Sequence, residues 1–254
     1  MPRETLVTSR ANPRVKALRQ QVAEGGLRRT HTLLLGEKLM AAWDQAPQRH
    51  RLVPELLLSL ESADTHPLAR RLHLDTLLLS ETLMRDLAEA GSPPRHALLA
   101  RVTPDPEGNL ADRVIVPWGI QDPGNLGAVL RSAAAFGFQE ALLGPGCADP
   151  FSPKALRGTM GAAFLLRIRR VAELPLDAGR WWALDGGPGA TALEAADLGA
   201  PVRLLVGNEG HGWQQVVLPP PVGRLAIPIQ GVESLNAAVA AGIACFEAAR
   251  RNAS

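Results

Sequence analysis

Cysteine is scarce in this chain of 254 residues: Cys147 and Cys245 are the only two, far apart and without paired spacing. That excludes a disulfide framework and the clustered Cys and His of a zinc site, so no metal is expected. It also suits a reducing compartment. No segment has the long uncharged apolar run of a membrane span. The opening Met-Pro-Arg-Glu-Thr lacks the apolar core of a signal peptide, so the expectation is a cytoplasmic protein. Several catalytic signatures are missing as well. There is no Gly-x-Gly-x-x-Gly after a strand, no Gly-x-x-x-x-Gly-Lys-Ser/Thr, no His-x-x-x-His and no Gly-x-Ser-x-Gly. These absences argue against a dinucleotide-binding unit, an NTPase, a metalloenzyme and a serine hydrolase of the familiar kinds.

An excess of one charge is missing too, since 27 Lys and Arg stand against 25 Asp and Glu, a formal net of +2. Bulk charge therefore announces no nucleic-acid partner, but its distribution is uneven. Residues 1–29 hold seven basic residues (Arg3, Arg10, Arg14, Lys16, Arg19, Arg28 and Arg29) against Glu4 and Glu24, a local net of +5. Residues 109–254 hold twelve of each sign. A basic stretch at one end can contact phosphates; the same stretch also reads as a solvated helix face. The hydrophobic fraction of 46% is that of a globular protein. The length permits one large domain or two smaller ones.

The first section, residues 1–105, alternates short strands and helices and reads as a small α/β domain. Asn12-Pro13 opens a helix stopped by Gly25-Gly26. Thr32 to Leu35, Leu56 to Leu60 and Leu77 to Leu79 have strand length, while Lys38 to Trp43 and Thr82 to Ala90 have helical character. Pro104-Asp105-Pro106-Glu107-Gly108-Asn109 combines breakers with polar residues and marks a linker. From residue 109 to 254 the rhythm is strand, loop, helix. Apolar strands fall at Arg113–Pro117, Ala141–Leu143, Leu165–Ile168, Trp181–Leu184, Val202–Val206 and Leu225–Ile227. Strands apolar on both faces, interleaved with helices, predict a mostly parallel sheet covered on both sides.

Ligands of such sheets bind beyond the carboxyl ends of strands, and three loops there are rich in glycine and polar residues. The first runs from Gln121 to Gly127 and leads into a helix whose stripe is Leu126, Val129, Leu130, Ala133 and Ala134; Arg131 falls off that stripe. Asn125 is the expected N-cap, and capping alone would account for it. Arg131 taken singly also reads as a surface arginine. The second loop is Gly207-Asn208-Glu209-Gly210-His211-Gly212-Trp213, where glycines admit a ligand to the backbone and Glu209 can hold an arginine as a bidentate pair. The third is Ile227-Pro228-Ile229-Gln230-Gly231-Val232-Glu233-Ser234-Leu235-Asn236. Ser234 stands where an N-cap belongs, and Ala237, Ala238, Ala240, Ala241 and Gly242 follow to allow close helix packing.

In this order the three segments resemble the SpoU (TrmH) family of RNA ribose 2′-O-methyltransferases, part of the SPOUT superfamily. Asp122-Pro123-Gly124-Asn125-Leu126-Gly127 with Arg131 and Ala133 is similar to the family's first motif. Gly207–Gly212 is similar to the second, and Ile227-Pro228-Ile229 through Glu233-Ser234-Leu235-Asn236 to the third. Ser152–Arg157 and Gly161-Ala162 between them also fit. Thr8–Lys16 and Gly36-Glu37-Lys38-Leu39 resemble the ribosomal-protein-like substrate-binding domain that many members carry, although His31–Leu35 departs from the usual aromatic start of its strand. The resemblance implies a C-terminal sheet threaded into a deep trefoil knot and a homodimer with its active site at or near the subunit interface.

What it implies chemically is transfer of a methyl group from S-adenosyl-L-methionine to a ribose 2′-hydroxyl of ribosomal or transfer RNA. The cofactor would lie against the backbone of Gly207, Gly210, Ile227 and Leu235. Arg131, Asn125, Glu209, Ser234 and Asn236 would form the catalytic wall, and Arg10, Arg14, Lys16 and Lys154 would contact RNA. The arginine is usually assigned as the base. A guanidinium with a pKa above about 12 is a poor proton acceptor, so Arg131 as binder of a phosphate and stabiliser of the alkoxide is an equally open version. The competing class, a non-catalytic RNA-binding protein on the same scaffold, is opposed by the filled polar positions. A methyltransferase for a small molecule is opposed by the basic N-terminal section.

Overall fold

A computed structural model describes residues 3–23, 30–48, 51–88, 92–208, 213 and 218–251. The chain forms two compact units, Met1–Pro104 with Phe151–Arg157, and Asp105–Pro150 with Gly158–Ser254. Among the described residues no helix is long and apolar enough to cross a membrane.

The first unit is built on a mixed five-stranded sheet of order β1-β4-β3-β5-β2, from β1 (Glu4–Val7), β2 (His31–Leu35), β3 (Leu52–Leu60), β4 (Thr76–Leu79) and β5 (His96–Val102). β1, β4 and β3 run parallel, while β5 is antiparallel to both β3 and β2. Pro54 lies inside β3, where a missing N–H would interrupt a regular ladder. The β3–β5 register shifts between Pro54 and Leu56, so a bulge absorbs it. Helices α1 (Pro13–Ala23), α2 (Glu37–Gln45), α3 (Pro67–Arg71) and α4 (Glu81–Ala88) complete the unit. Val15 and Leu18 of α1 and Leu83, Met84 and Leu87 of α4 meet the sheet residues Leu33, Leu58, Leu77, Leu79 and Leu99 in one buried cluster. The apolar 3–4 spacing in α4 is what places those three side chains together.

The second unit carries a seven-stranded sheet in which every pairing is parallel, of order β10-β12-β9-β11-β6-β7-β8. Its strands are β6 (Arg113–Pro117), β7 (Glu140–Leu143), β8 (Arg167–Arg170), β9 (Arg180–Leu184), β10 (Thr191–Ala192), β11 (Val202–Val206) and β12 (Gly223–Ala226). All five residues of β11 are buried, as an internal parallel strand requires. One of them is Arg203, 2% exposed, and a charge there must be paired. It ion-pairs Asp177 at 2.6 Å and donates to the Asp112 carbonyl at 2.9 Å. Buried Glu140 is matched in the same way by Arg167 and Arg169, each at 2.5 Å, and by the Ala111 N–H at 2.8 Å.

Helices α5 (Pro123–Ala135) and α7 (Ala237–Arg251) accompany this sheet, as do Gly158 and Thr159, the last two residues of α6 (Pro153–Thr159). α5 and α7 lie side by side, with Gly242 of α7 set against Ser132 of α5, where an added Cβ would stand 3.4 Å from the Ser132 hydroxyl. A Cβ on Gly158 would come within 3.3 Å of both the Gly124 carbonyl and the Gly127 Cα, so α5 and the end of α6 meet backbone to backbone. Gly144, after β7, lies under the Trp118 indole: a Cβ there would be 2.1 Å from the ring.

Candidate active site

In sheet order, β12, β9 and β11 are neighbours, and the loops at their carboxyl ends enclose one cavity of about 810 Å3. β9 contributes Leu184, Asp185, Gly186 and Gly187; β11 contributes Val206, Gly207 and Asn208; β12 contributes Ala226 and Ile227. The segment Val232–Leu235 and the buried indole of Trp213 close it. Three of the lining residues, Gly186, Gly187 and Gly207, are glycines that leave backbone N–H and C=O groups open to a ligand, and aliphatic residues such as Leu184, Ile227, Ile229 and Leu235 make up much of the rest. The ionisable side chains that line it among the described residues, Asp185 and Glu233, are both acidic.

A second cluster sits where α5 and α7 begin. Both helix starts differ from the caps expected from sequence. Asp122, not Asn125, caps α5: its carboxylate accepts the Asn125 N–H at 2.9 Å, and Pro123 takes the first helical position. Asn236, not Ser234, caps α7, its Oδ1 accepting the N–H groups of Ala238 at 3.0 Å and Val239 at 3.3 Å. The shift frees Ser234 and Leu235 from the helix and leaves them lining the cavity. Asn236 Nδ2 also donates to Asn125 Oδ1 at 3.4 Å, which ties the first and third loops together.

The expected cofactor residues Gly207, Ile227 and Leu235 therefore meet in one cavity, joined by Ser234. Asn125 and Asn236 pair beside it, at one end of a groove between α5 and α7. Arg131 is exposed on α5, one turn beyond Gly127, and is not part of the cavity lining. Glu209 and Gly210 lie outside the described residues. Of the expected RNA contacts, Arg10, Arg14, Lys16 and Lys154 are all exposed; Arg10 pairs with Asp86 at 2.6 Å and Arg14 reaches the Thr5 hydroxyl at 3.4 Å. The sequence reading missed the turn Asp185–Gly187. Its signal was Asp-Gly-Gly directly after an apolar strand, the same strand-then-glycine pattern that marked the Gly207 loop.

The two cysteines are free, Cys245 buried in α7 and Cys147 partly buried, and burial pushes both thiols above their ordinary range. They are packing residues, not nucleophiles. Among the described residues no group of three or more His, Cys, Asp or Glu is placed to hold a metal ion.

Residues 112–246, which hold the cavity loops and the paired asparagines, match the model of the SpoU rRNA methylase family. The chain belongs to that family. RlmP of Bacillus subtilis, a 23S rRNA (guanosine(2553)-2′-O)-methyltransferase, is 30% identical over 94% of this chain and 97% of its own length. An uncharacterized tRNA/rRNA methyltransferase of Synechocystis is 38% identical over 63% of this chain, which spans 56% of that relative. Among solved structures, the AdoMet-bound rRNA methyltransferase from Sinorhizobium meliloti superposes with a TM-score of 0.76 at 26% identity, covering 98% of both chains. The SpoU likeness thus extends over both units, and the α/β fold with its parallel C-terminal sheet is that of SpoU methyltransferases.

Proposed function

We propose that this SpoU protein transfers a methyl group from S-adenosyl-L-methionine to a ribose 2′-hydroxyl in structured ribosomal or transfer RNA. The observation that carries this reading is the cavity at the carboxyl ends of β12, β9 and β11, whose lining brings together Gly207, Ile227, Ser234 and Leu235 from the second and third loops. Glu233 on its lining is of opposite sign to a sulfonium, whereas Asp185 is paired with Arg224. The cofactor, when bound, supplies an electrophilic methyl group and a good leaving group. The protein's own task is to hold two reactants in line and manage one proton. Gly207, Gly210, Ile227 and Leu235 would serve the first through backbone groups. Arg131, oriented by Glu209, would bind the phosphate next to the target ribose and stabilise the alkoxide. Asn125, Ser234 and Asn236 would position the hydroxyl.

In a single chain Arg131 stands outside the cavity lining, and an apolar strip of α7, Val239, Ile243 and Phe246, is exposed along the groove between α5 and α7. Phe246 packs edge-on at 5.6 Å against Phe136, the residue that ends α5, so the strip continues onto the end of that helix. Both features support a homodimer through this face, in which one protomer's Arg131 completes the site of its partner. The C-terminal sheet would carry the family's trefoil knot. The segment 1–105 would recognise RNA through Arg10, Arg14 and Lys16, with Lys154 adding a contact, and the protein would act in the cytoplasm.

The test is a map of 2′-O-methyl groups in cellular RNA with and without the protein, coupled to calorimetric titration with S-adenosylmethionine. One lost methyl group on deletion and a measurable heat are expected. Protein that binds no S-adenosylmethionine would reduce it to an RNA-binding scaffold.

A further inference from the structure

One wall of the cavity comes from outside the three motif loops. β9 ends at Leu184, and Asp185-Gly186-Gly187 then turn along the cavity edge. The Asp185 N–H donates to the Leu225 carbonyl at 2.9 Å and so extends the β9–β12 ladder to the start of the turn. The Asp185 carboxylate accepts the Gly187 N–H at 3.0 Å, closing an Asx turn, and its other oxygen takes a guanidinium N–H of Arg224 from β12. A Cβ on Gly187 would stand 3.2 Å from Asp185 Oδ1 and 3.4 Å from Arg224 Nη1, so the turn's backbone lies directly on the ion pair. Among the described residues, a Cβ on Gly186 would meet no atom within 4 Å. Gly186 therefore lines the cavity with its backbone uncovered by any described residue.

The side chains of Arg224 and Asp185 are 41% and 20% exposed, and a pair this accessible adds little to global stability. Its geometric effect is larger, because it pins a glycine turn that has no side chains of its own to fix it. We propose that Arg224 is a positioning residue for the cofactor: acting through Asp185, it latches the Asp185–Gly187 backbone in the place where S-adenosylmethionine docks. The proposal rests on the cofactor reading given above and adds a residue that the family motifs do not contain.

The experiment is calorimetric titration of full-length protein with S-adenosylmethionine, alongside thermal melts without ligand. Arg224→Gln and Asp185→Asn should each weaken binding roughly tenfold, with melting temperatures near that of the parent. The double variant should bind no worse than either single one, because both changes open the same latch. Arg224→Lys, which keeps the charge but not the planar fork, should fall in between. Unchanged affinity in Arg224→Gln, additive losses in the double variant, or a loss that tracks a fall in melting temperature would each overturn the latch. Parent protein that shows no binding would instead remove the cofactor reading on which the latch stands.

Discussion

The two sheets of this molecule bury their strands to different ends. In the first unit, helices and a mixed sheet enclose an aliphatic core, while the basic residues Arg10, Arg14 and Lys16 stay on the outside. In the second, every strand points the same way, so the carboxyl ends of β12, β9 and β11 open together and their loops converge on a single cavity. A parallel sheet gathers loop backbone at one edge, whereas a mixed sheet disperses it. Chemistry that needs backbone groups around a ligand belongs to the former; an exposed basic helix suits contact with a phosphate chain.

The sharpest way to break this comparison is Arg131→Ala. If the second unit alone carries the chemistry, methyl transfer should fall about a thousandfold, while S-adenosylmethionine binding and the melting curve stay unchanged; turnover assays beside calorimetry decide it. Next in size is Gly158→Val. Side-chain atoms forced between α6 and the Gly124 and Gly127 backbone should cost about 2 kcal/mol in a denaturant titration. The loss should appear in amides of the second unit by hydrogen exchange. In the first unit, Arg14→Ala with Lys16→Ala should weaken RNA binding several-fold and flatten its salt dependence, with cofactor affinity unaltered. A change in cofactor affinity would erase the division of labour.

The smallest effect is set by pH. His66 and His96 are stacked edge to face at 4.9 Å in the first unit. Burial is the main force lowering both below the ordinary value of 6.5; the nearby His66 lowers His96 further, and Glu37 opposes the shift in each. With folded pKa values below the unfolded one, the unfolded chain takes up protons first as the pH falls. Stability should therefore be fully present above pH 6.5 and should decline below it, through the interval down to the depressed values. Hydrogen exchange at pH 7 and pH 5.5 should show protection lost in the first unit before the second, and equal loss in both would remove these histidines as the cause.

The central strands of the second unit were legible in the sequence because internal parallel strands are apolar on both faces, whereas β8 begins two residues later than expected and the two-residue edge strand β10 was not foreseen. Val114-Ile115-Val116 and Leu204-Leu205-Val206 leave little else to be. The first unit was harder to read. β1 is a short edge strand, Glu-Thr-Leu-Val, with exposed residues on it, and β5 reads His-Ala-Leu-Leu-Ala-Arg-Val, whose Ala and Leu suit a helix as well as a strand. Helix starts were misplaced by one to three residues. Asp122 and Asn125, like Ser234 and Asn236, are both good caps, and tertiary packing chose between them. The glycine loops after β11 and β12 announced the cavity, but the turn at Asp185 depends on Arg224, a residue 39 positions away that sequence spacing does not connect to it.

Gly144 and Trp118 are coupled sterically, so that the choice of residue at one position limits the choice at the other. With the indole as it stands, even an alanine methyl at 144 would overlap the ring. A lineage that enlarges residue 144 must therefore also move or give up the indole at 118. Where relatives of this protein carry a larger residue at 144, the indole at 118 should be displaced or absent.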